Sequence, residues 1–204
     1  MTEKKTTAES AKIAEIRREV LQTHRLLYGV RFRRRWGADP PSHRVKRILF
    51  VHDGPWAEGS SYALSLLASR GLAIDEWPFS LPDCPAPPDH AYHGILVTAS
   101  SFPGERESRR FREMVLRGLH DATWIAAAGE SVALLAAGGF FRGLHAAYDP
   151  ALCAEMEKWG ALPADGSPTR DGSFLTAASV GELPRLIGSL LDLILQVPGE
   201  GALS

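Results

Sequence analysis

Residues 122–148 read ATWIAAAGESVALLAAGGFFRGLHAAY, and this stretch decides the fold. It opens with a short apolar run from Trp124 to Ala128. Gly129 breaks the run, Glu130 and Ser131 follow, and an apolar helical pattern resumes at Val132 and stops at Gly138 and Gly139. The order is strand, sharp turn, helix, and then a second apolar stretch around Leu144 to Tyr148. A turn of this kind aims one residue out of the end of a sheet, beside the unpaired N–H groups that begin the next helix. Enzymes that use this turn place a nucleophile there. This chain places Gly129 there, which has no side chain to react.

Working outward, the preceding residues show the same alternation of elements. Arg47 to His52 is a short apolar run ended by Asp53-Gly54-Pro55, the pattern of a buried parallel strand. Ser60 to Arg70 reads as a helix with Leu64, Leu66 and Leu67 inward, ended by Gly71. Leu72 to Trp77 reads as a second strand. Pro78 to Pro88 holds five prolines together with Cys84, too many for regular structure. Gly94 to Thr98 reads as a third strand, closed by the small polar run Ala99 to Gly104, and Glu105 to Leu119 as an amphipathic helix. The strands are continuous apolar runs rather than in/out alternations, so both faces of the sheet are expected to be covered. The expected class is α/β: a flavodoxin-like parallel sheet sandwiched between helices, with an N-terminal helical extension.

The last third completes the layout. Pro150 to Gly160 reads as a helix, and Asp171 to Thr176 as a turn entering a short strand. A final helix is expected from about Val180 to Val197, with Leu183, Leu186, Ile187, Leu190, Leu191 and Ile194 giving a broad apolar face. Ser179 and Glu182 have the spacing of a capping box, in which each side chain satisfies the other's backbone donor.

Composition sets outer limits. At 204 residues one domain with an appendage is expected, and 45% hydrophobic with 23% charged residues is ordinary for a globular protein. No apolar run reaches the ~18 residues of a membrane span. The polar start MTEKKTTAES lacks the apolar segment of a signal peptide. Neither of the two cysteines, Cys84 and Cys153, sits in a metal-ligand spacing, and a reducing cytoplasm fits them best. No metal and no cofactor is expected, apart from the flavin alternative below.

The net charge of −1 hides an asymmetry. Residues 1–47 hold 13 Lys and Arg against 5 Asp and Glu, a net +8, and the remainder holds 10 against 19, a net −9. The chain therefore divides into a basic N-terminal helical arm, residues 1–44, and an α/β body, residues 45–204. In the arm Ile13, Ile16, Val20 and Leu27 fall near one helical face, with Arg17, Arg18 and Arg25 elsewhere. Arg31, Arg33, Arg34 and Arg35 then cluster with Phe32 and Trp36. Such a cluster suits docking on the acidic body of the chain itself or of a second copy in a homo-oligomer, an acidic protein partner, or nucleic acid.

The tail from Trp124 to Leu195 resembles the ThiJ/PfpI family, within the class I glutamine amidotransferase-like superfamily. The resemblance rests on the strand entering the turn, on Val132-Ala-Leu-Leu-Ala-Ala-Gly-Gly-Phe-Phe-Arg-Gly143, on the helix Pro150-Ala-Leu-Cys-Ala-Glu-Met, and on Asp171-Gly-Ser-Phe-Leu-Thr-Ala. Ile48 to Gly71 is similar more loosely, and the match covers roughly residues 45–196. The family's turn carries a cysteine followed by histidine and glycine, where this chain has Gly129, Glu130 and Ser131. The family also places an acid in the loop after the first strand, and Glu58 stands nearest to that position. The resemblance implies a domain that has lost the cysteine, and with it the protease, deglycase or hydratase chemistry that needs a thiolate at a helix N-terminus. A non-catalytic ligand-binding or assembly role follows.

Other chemistries are weighed against that reading. Glu130 with Asp53 or Glu58 would make a carboxylate-based hydrolase or lyase. Gly129-Glu130-Ser131 has part of a serine-elbow pattern, but the one histidine after Ser131 is His145, placed before every late acid loop. His52 beside Asp53 is a candidate dyad, against the plainer reading of a polar strand end. In a flavodoxin-like FMN-binding reductase, Gly59-Ser60-Ser61 would hold a phosphate and the run containing Ser100 and Ser101 would line the flavin.

Overall fold

A computed structural model describes residues 46–52, 60–78, 91–100 and 104–195. The arm, with Arg33, Arg34 and Arg35, lies outside the described residues, as do Asp53, Glu58, Cys84 and Ser101. The elements in chain order are β1 (Arg47–His52), α1 (Ser60–Ser69), β2 (Ala73–Pro78), β3 (Gly94–Val97), α2 (Glu105–His120), β4 (Trp124–Ala128) and α3 (Glu130–Ala137). They continue with β5 (His145–Ala146), α4 (Cys153–Lys158), β6 (Leu162–Pro163), β7 (Thr169–Asp171), β8 (Phe174–Ala177) and α5 (Leu183–Leu195). Single 3-10 turns, Pro150–Leu152 and Val180–Glu182, lead into α4 and α5.

Six strands form one sheet in the order β2-β1-β3-β4-β8-β7, and β5 and β6 form a small second sheet. All neighbours in the large sheet are parallel except β7, which pairs antiparallel with β8. The expectation of a parallel sheet therefore holds for five strands and fails at one edge. Asp171 pairs with Phe174 across two residues, and a link that short can join only antiparallel strands.

Alternate side chains leave the sheet on opposite faces, and both faces are buried. Leu49, Val51, Ile95, Val97, Ile125 and Ala127 pack with Phe111 and Val115 of α2, Leu135 of α3 and Met156 of α4. Ile48, Phe50, Leu96, Ala126 and Leu175 pack on the other side with Ala63 and Leu67 of α1 and the inner face of α5. This is why the strands read as unbroken apolar runs. The six apolar residues expected on the last helix are all buried in that second layer. Each contributes about 1.5–3 kcal/mol by leaving water, so Ile187→Asp would break the layer.

Two local expectations change. The capping box does not form, because Ser179 makes no side-chain cap. The Glu182 carboxylate instead accepts the Ser167 hydroxyl and, at 3.1 Å, the Ala178 N–H. A tertiary partner has taken the carboxylate away from its local one. The last α-helix accordingly begins at Leu183 rather than at Val180.

The topology fixes where a ligand site belongs. From β1 the chain goes to β2 on one side, and β3 then lies on β1's other side. In such sheets the crevice outside the carboxyl ends of the strands, at the reversal point, is the binding position. Here that edge is formed by the ends of β1, β3 and β4.

Candidate functional site

The turn after β4 is built as the sequence pattern requires. Gly129 sits at φ 64°, ψ −132°, a conformation that strains any residue with a Cβ. Its N–H donates to Ala177 O of β8 at 3.0 Å, and its carbonyl accepts the Val132 N–H at 3.1 Å, starting α3. At the far end of α3 the Gly139 N–H reaches Ala136 O (2.9 Å) and the Phe140 N–H reaches Leu135 O (3.1 Å). Gly139 itself is at φ 84°, and this pattern ends a helix in a Schellman motif.

The space above Gly129 is occupied. A Cβ on residue 129 would lie 3.2 Å from Val180 Cγ2 and 3.5 Å from the Val180 backbone nitrogen. The first distance is shorter than comfortable van der Waals contact. The 3-10 turn entering α5 therefore sits over the position from which a side chain at residue 129 would project.

Ser131 is equally committed. It is 1% exposed, and its Oγ accepts the Ala128 N–H at 2.9 Å. Its single proton is within reach of Val97 O (2.8 Å) and Ala128 O (2.7 Å). The hydroxyl ties the ends of β3 and β4 to the start of α3, and faces away from solvent. Glu130 is exposed, and no described residue bonds to it. Its supposed partners Asp53 and Glu58 lie outside the described residues. Cys153 opens α4, away from the turn, with Sγ 3.5 Å from Glu157 Oε1. Burial, with Cys153 and Glu157 close by, raises the Tyr148 phenol above its ordinary range.

The ends of β1 and β3 differ from the turn. His52 is 2% exposed, and its ring stacks on Phe50 with centroids 4.9 Å apart. His52 Nε2 lies 3.4 Å from Glu76 Oε2 on β2. The structure thus gives His52 a carboxylate neighbour from a different strand, whatever Asp53 does. Thr98 follows β3, level with His52 and on the same face, because Val97 pairs with Val51. Its Oγ1 is buried and meets no hydrogen-bond partner among the described residues. Ser100, beyond it, is exposed.

A second imidazole–carboxylate pair lies elsewhere. Asp171 Oδ2 accepts the His145 N–H at 2.9 Å and stands 3.3 Å from His145 Nδ1. This pair joins β5 to β7 and shares no contact with Ser131, so no serine triad is assembled. Among the described residues no group of three His, Cys, Asp or Glu side chains could hold a metal ion. No helix among them is long and apolar enough to cross a membrane.

Sequence reasoning placed Gly129, Glu130 and Ser131 on one turn, and they are there. It missed Val180 and Glu76. Both come from segments distant in the chain, and only the pairing of β8 with β4 and of β2 with β1 brings them in.

A mostly parallel α/β sandwich with a positive-φ turn after its fourth strand defines the class of fold. By sequence, the chain matches no family model and no curated protein. By structure it is similar to ThiJ/PfpI and DJ-1 proteins, and it has their flavodoxin-like fold. A ThiJ/PfpI domain protein from Brachyspira murdochii superposes with a TM-score of 0.59 at 12% identity, covering 75% of this chain and 98% of that one. DJ-1beta from Drosophila melanogaster gives 0.55 at 15% identity, covering 74% and 91%. An AraC family transcriptional regulator from Pseudomonas putida gives 0.53 at 14% identity, covering 74% and 92%.

Proposed function

We propose that this chain is a non-catalytic domain of ThiJ/PfpI fold that works by binding. Its role is assembly, as a homo-oligomer or with an acidic protein partner, through the basic segment at residues 31–35. The observation that carries the reading is Val180 seated over Gly129 at 3.2 Å from the missing Cβ. A side chain there is absent by sequence, and a Cβ would require Val180 to give way by a few tenths of an ångström. Ser131 and Glu130 do not replace it. The hydroxyl is consumed by backbone groups, and the carboxylate has no bond to a described residue. The charge split of +8 against −9 supplies the attraction for assembly.

The test is sedimentation of the full chain at low and high salt, beside the triple variant Arg33→Glu/Arg34→Glu/Arg35→Glu. The reading expects an oligomer or a co-sedimenting acidic partner that salt weakens and the triple variant abolishes. A monomer under every condition that captures no acidic protein would refute it. Tight binding of duplex DNA with a steep salt slope would move the arm to nucleic-acid recognition, in line with the regulator among the structural neighbours.

A further inference from the structure

Among the described residues the exposed large apolar side chains are Tyr62, 51% exposed, and Leu195, 40% exposed. They belong to α1 and α5, which touch each other in the same helical layer. The sequence of α1 is SSYALSLLAS, without one charged residue, although Ser61, Tyr62, Ser65, Ala68 and Ser69 are exposed. The contrast with α2 is sharp, since its outward positions include Glu105, Arg106, Arg109, Arg112, Glu113 and Arg117. The outward face of α1 thus shares two features with an interface core, the lack of charge and an exposed tyrosine, and its small Ser and Ala side chains leave room for a helix to approach closely.

The chain itself supplies a segment to cover it. Lys46 Nζ donates to Ile194 O at 2.7 Å, so residues 1–45 join the body beside the last turn of α5, next to Leu195. That segment carries the apolar stripe Ile13, Ile16, Val20 and Leu27. As a helix, residues 11–28 would run about 27 Å, against about 15 Å for α1 and about 20 Å for α5. Residues 29–45 can span up to about 60 Å, so reach is no obstacle.

We propose that the apolar stripe of residues 11–28 docks on the outward face of α1 and the end of α5 of its own body. Docking there leaves Arg31 to Arg35 at the rim, presented to a partner. The inference is independent of the reading of the turn at Gly129.

Limited trypsin digestion of the full chain, followed by mass spectrometry, tests it. At a salt concentration that releases any partner from residues 31–35, cleavage at Arg17, Arg18 and Arg25 should be about tenfold slower than at Arg33 to Arg35. Tyr62→Glu/Ser65→Glu on the body, and separately Val20→Asp on the stripe, should each remove that protection. The second variant leaves the body's packing untouched. A further check pairs Val20→Cys with Ser65→Cys in a Cys84→Ser/Cys153→Ser background. A disulfide should form within one chain, at a yield independent of protein concentration. Equal cleavage at all these arginines, or protection that neither variant removes, would overturn the proposal. So would a disulfide formed only between chains, since a second copy's stripe would then be the occupant.

Discussion

The carboxyl ends of β4 and β1 lie on the same edge of one sheet, with only β3 between them, yet they are finished in opposite ways. At β4 the Gly129 backbone and the Ser131 hydroxyl have backbone partners, and Val180 covers the position from which a side chain at residue 129 would project. At β1 and β3 a buried imidazole stands against a half-exposed carboxylate, and a buried hydroxyl meets no hydrogen-bond partner among the described residues. A turn of this geometry can therefore stand without a side chain at its apex, because the same geometry starts α3 and anchors β4 to β8. Polar groups left over beside the reversal point are a different matter, since nothing in the packing of the sheet requires them.

The largest effect should come from adding a methyl group at the turn. Gly129→Ala places a Cβ at positive φ and against Val180, and should lower stability by about 2–4 kcal/mol from strain and overpacking together. Denaturant unfolding measures it. In a Val180→Ala background the loss should shrink, because the overpacking is relieved and the strain remains. An equal loss in both backgrounds would show that Val180 does not close the turn.

Ser131→Ala should cost about 1–3 kcal/mol, since it removes a buried hydroxyl that bonds to Ala128 N–H and to the Val97 and Ala128 carbonyls. Thr98→Val is the matched change at the end of β3. It exchanges a hydroxyl without a partner among the described residues for a methyl group of similar size, and should be neutral or stabilising by about 1 kcal/mol. If thermal melts show Thr98→Val as damaging as Ser131→Ala, the two ends of the sheet are not finished differently, and the comparison fails.

Glu130→Gln should do least. The carboxylate stands in the first turn of α3, where the helix dipole favours a negative charge by about 0.3–1 kcal/mol. Stability should fall by no more than that, and any ligand binding should persist. A tenfold loss of binding or activity in this variant would return Glu130 to a carboxylate mechanism with Asp53 or Glu58.

The sequence made the scaffold legible because its strands are buried on both faces. Ile48 to Val51, Gly94 to Val97 and Trp124 to Ala128 are apolar runs that only a covered parallel sheet explains. Gly139 marked the end of α3 by its left-handed conformation. The antiparallel edge was less legible, because three residues, Thr169 to Asp171, carry too little pattern to show a direction. The site was legible on one side only. Gly129 to Ser131 are consecutive, so their turn could be read from spacing. Val180 and Glu76 act through strand register, which no local pattern encodes. The Ser179 and Glu182 spacing misled, because Ser167 and Ala178 hold the carboxylate instead.

The closed turn at Gly129 is the centre of this account, and a thiol placed there reports on it most directly. In a Cys84→Ser/Cys153→Ser background, Gly129→Cys carries one thiol at the head of α3, whose reaction with iodoacetamide at neutral pH can be timed against free cysteine. With Val180 in place the account predicts alkylation slower than free cysteine, and a clear acceleration when Val180→Ala is added. Alkylation faster than free cysteine with Val180 intact would show an open, activating turn and contradict it.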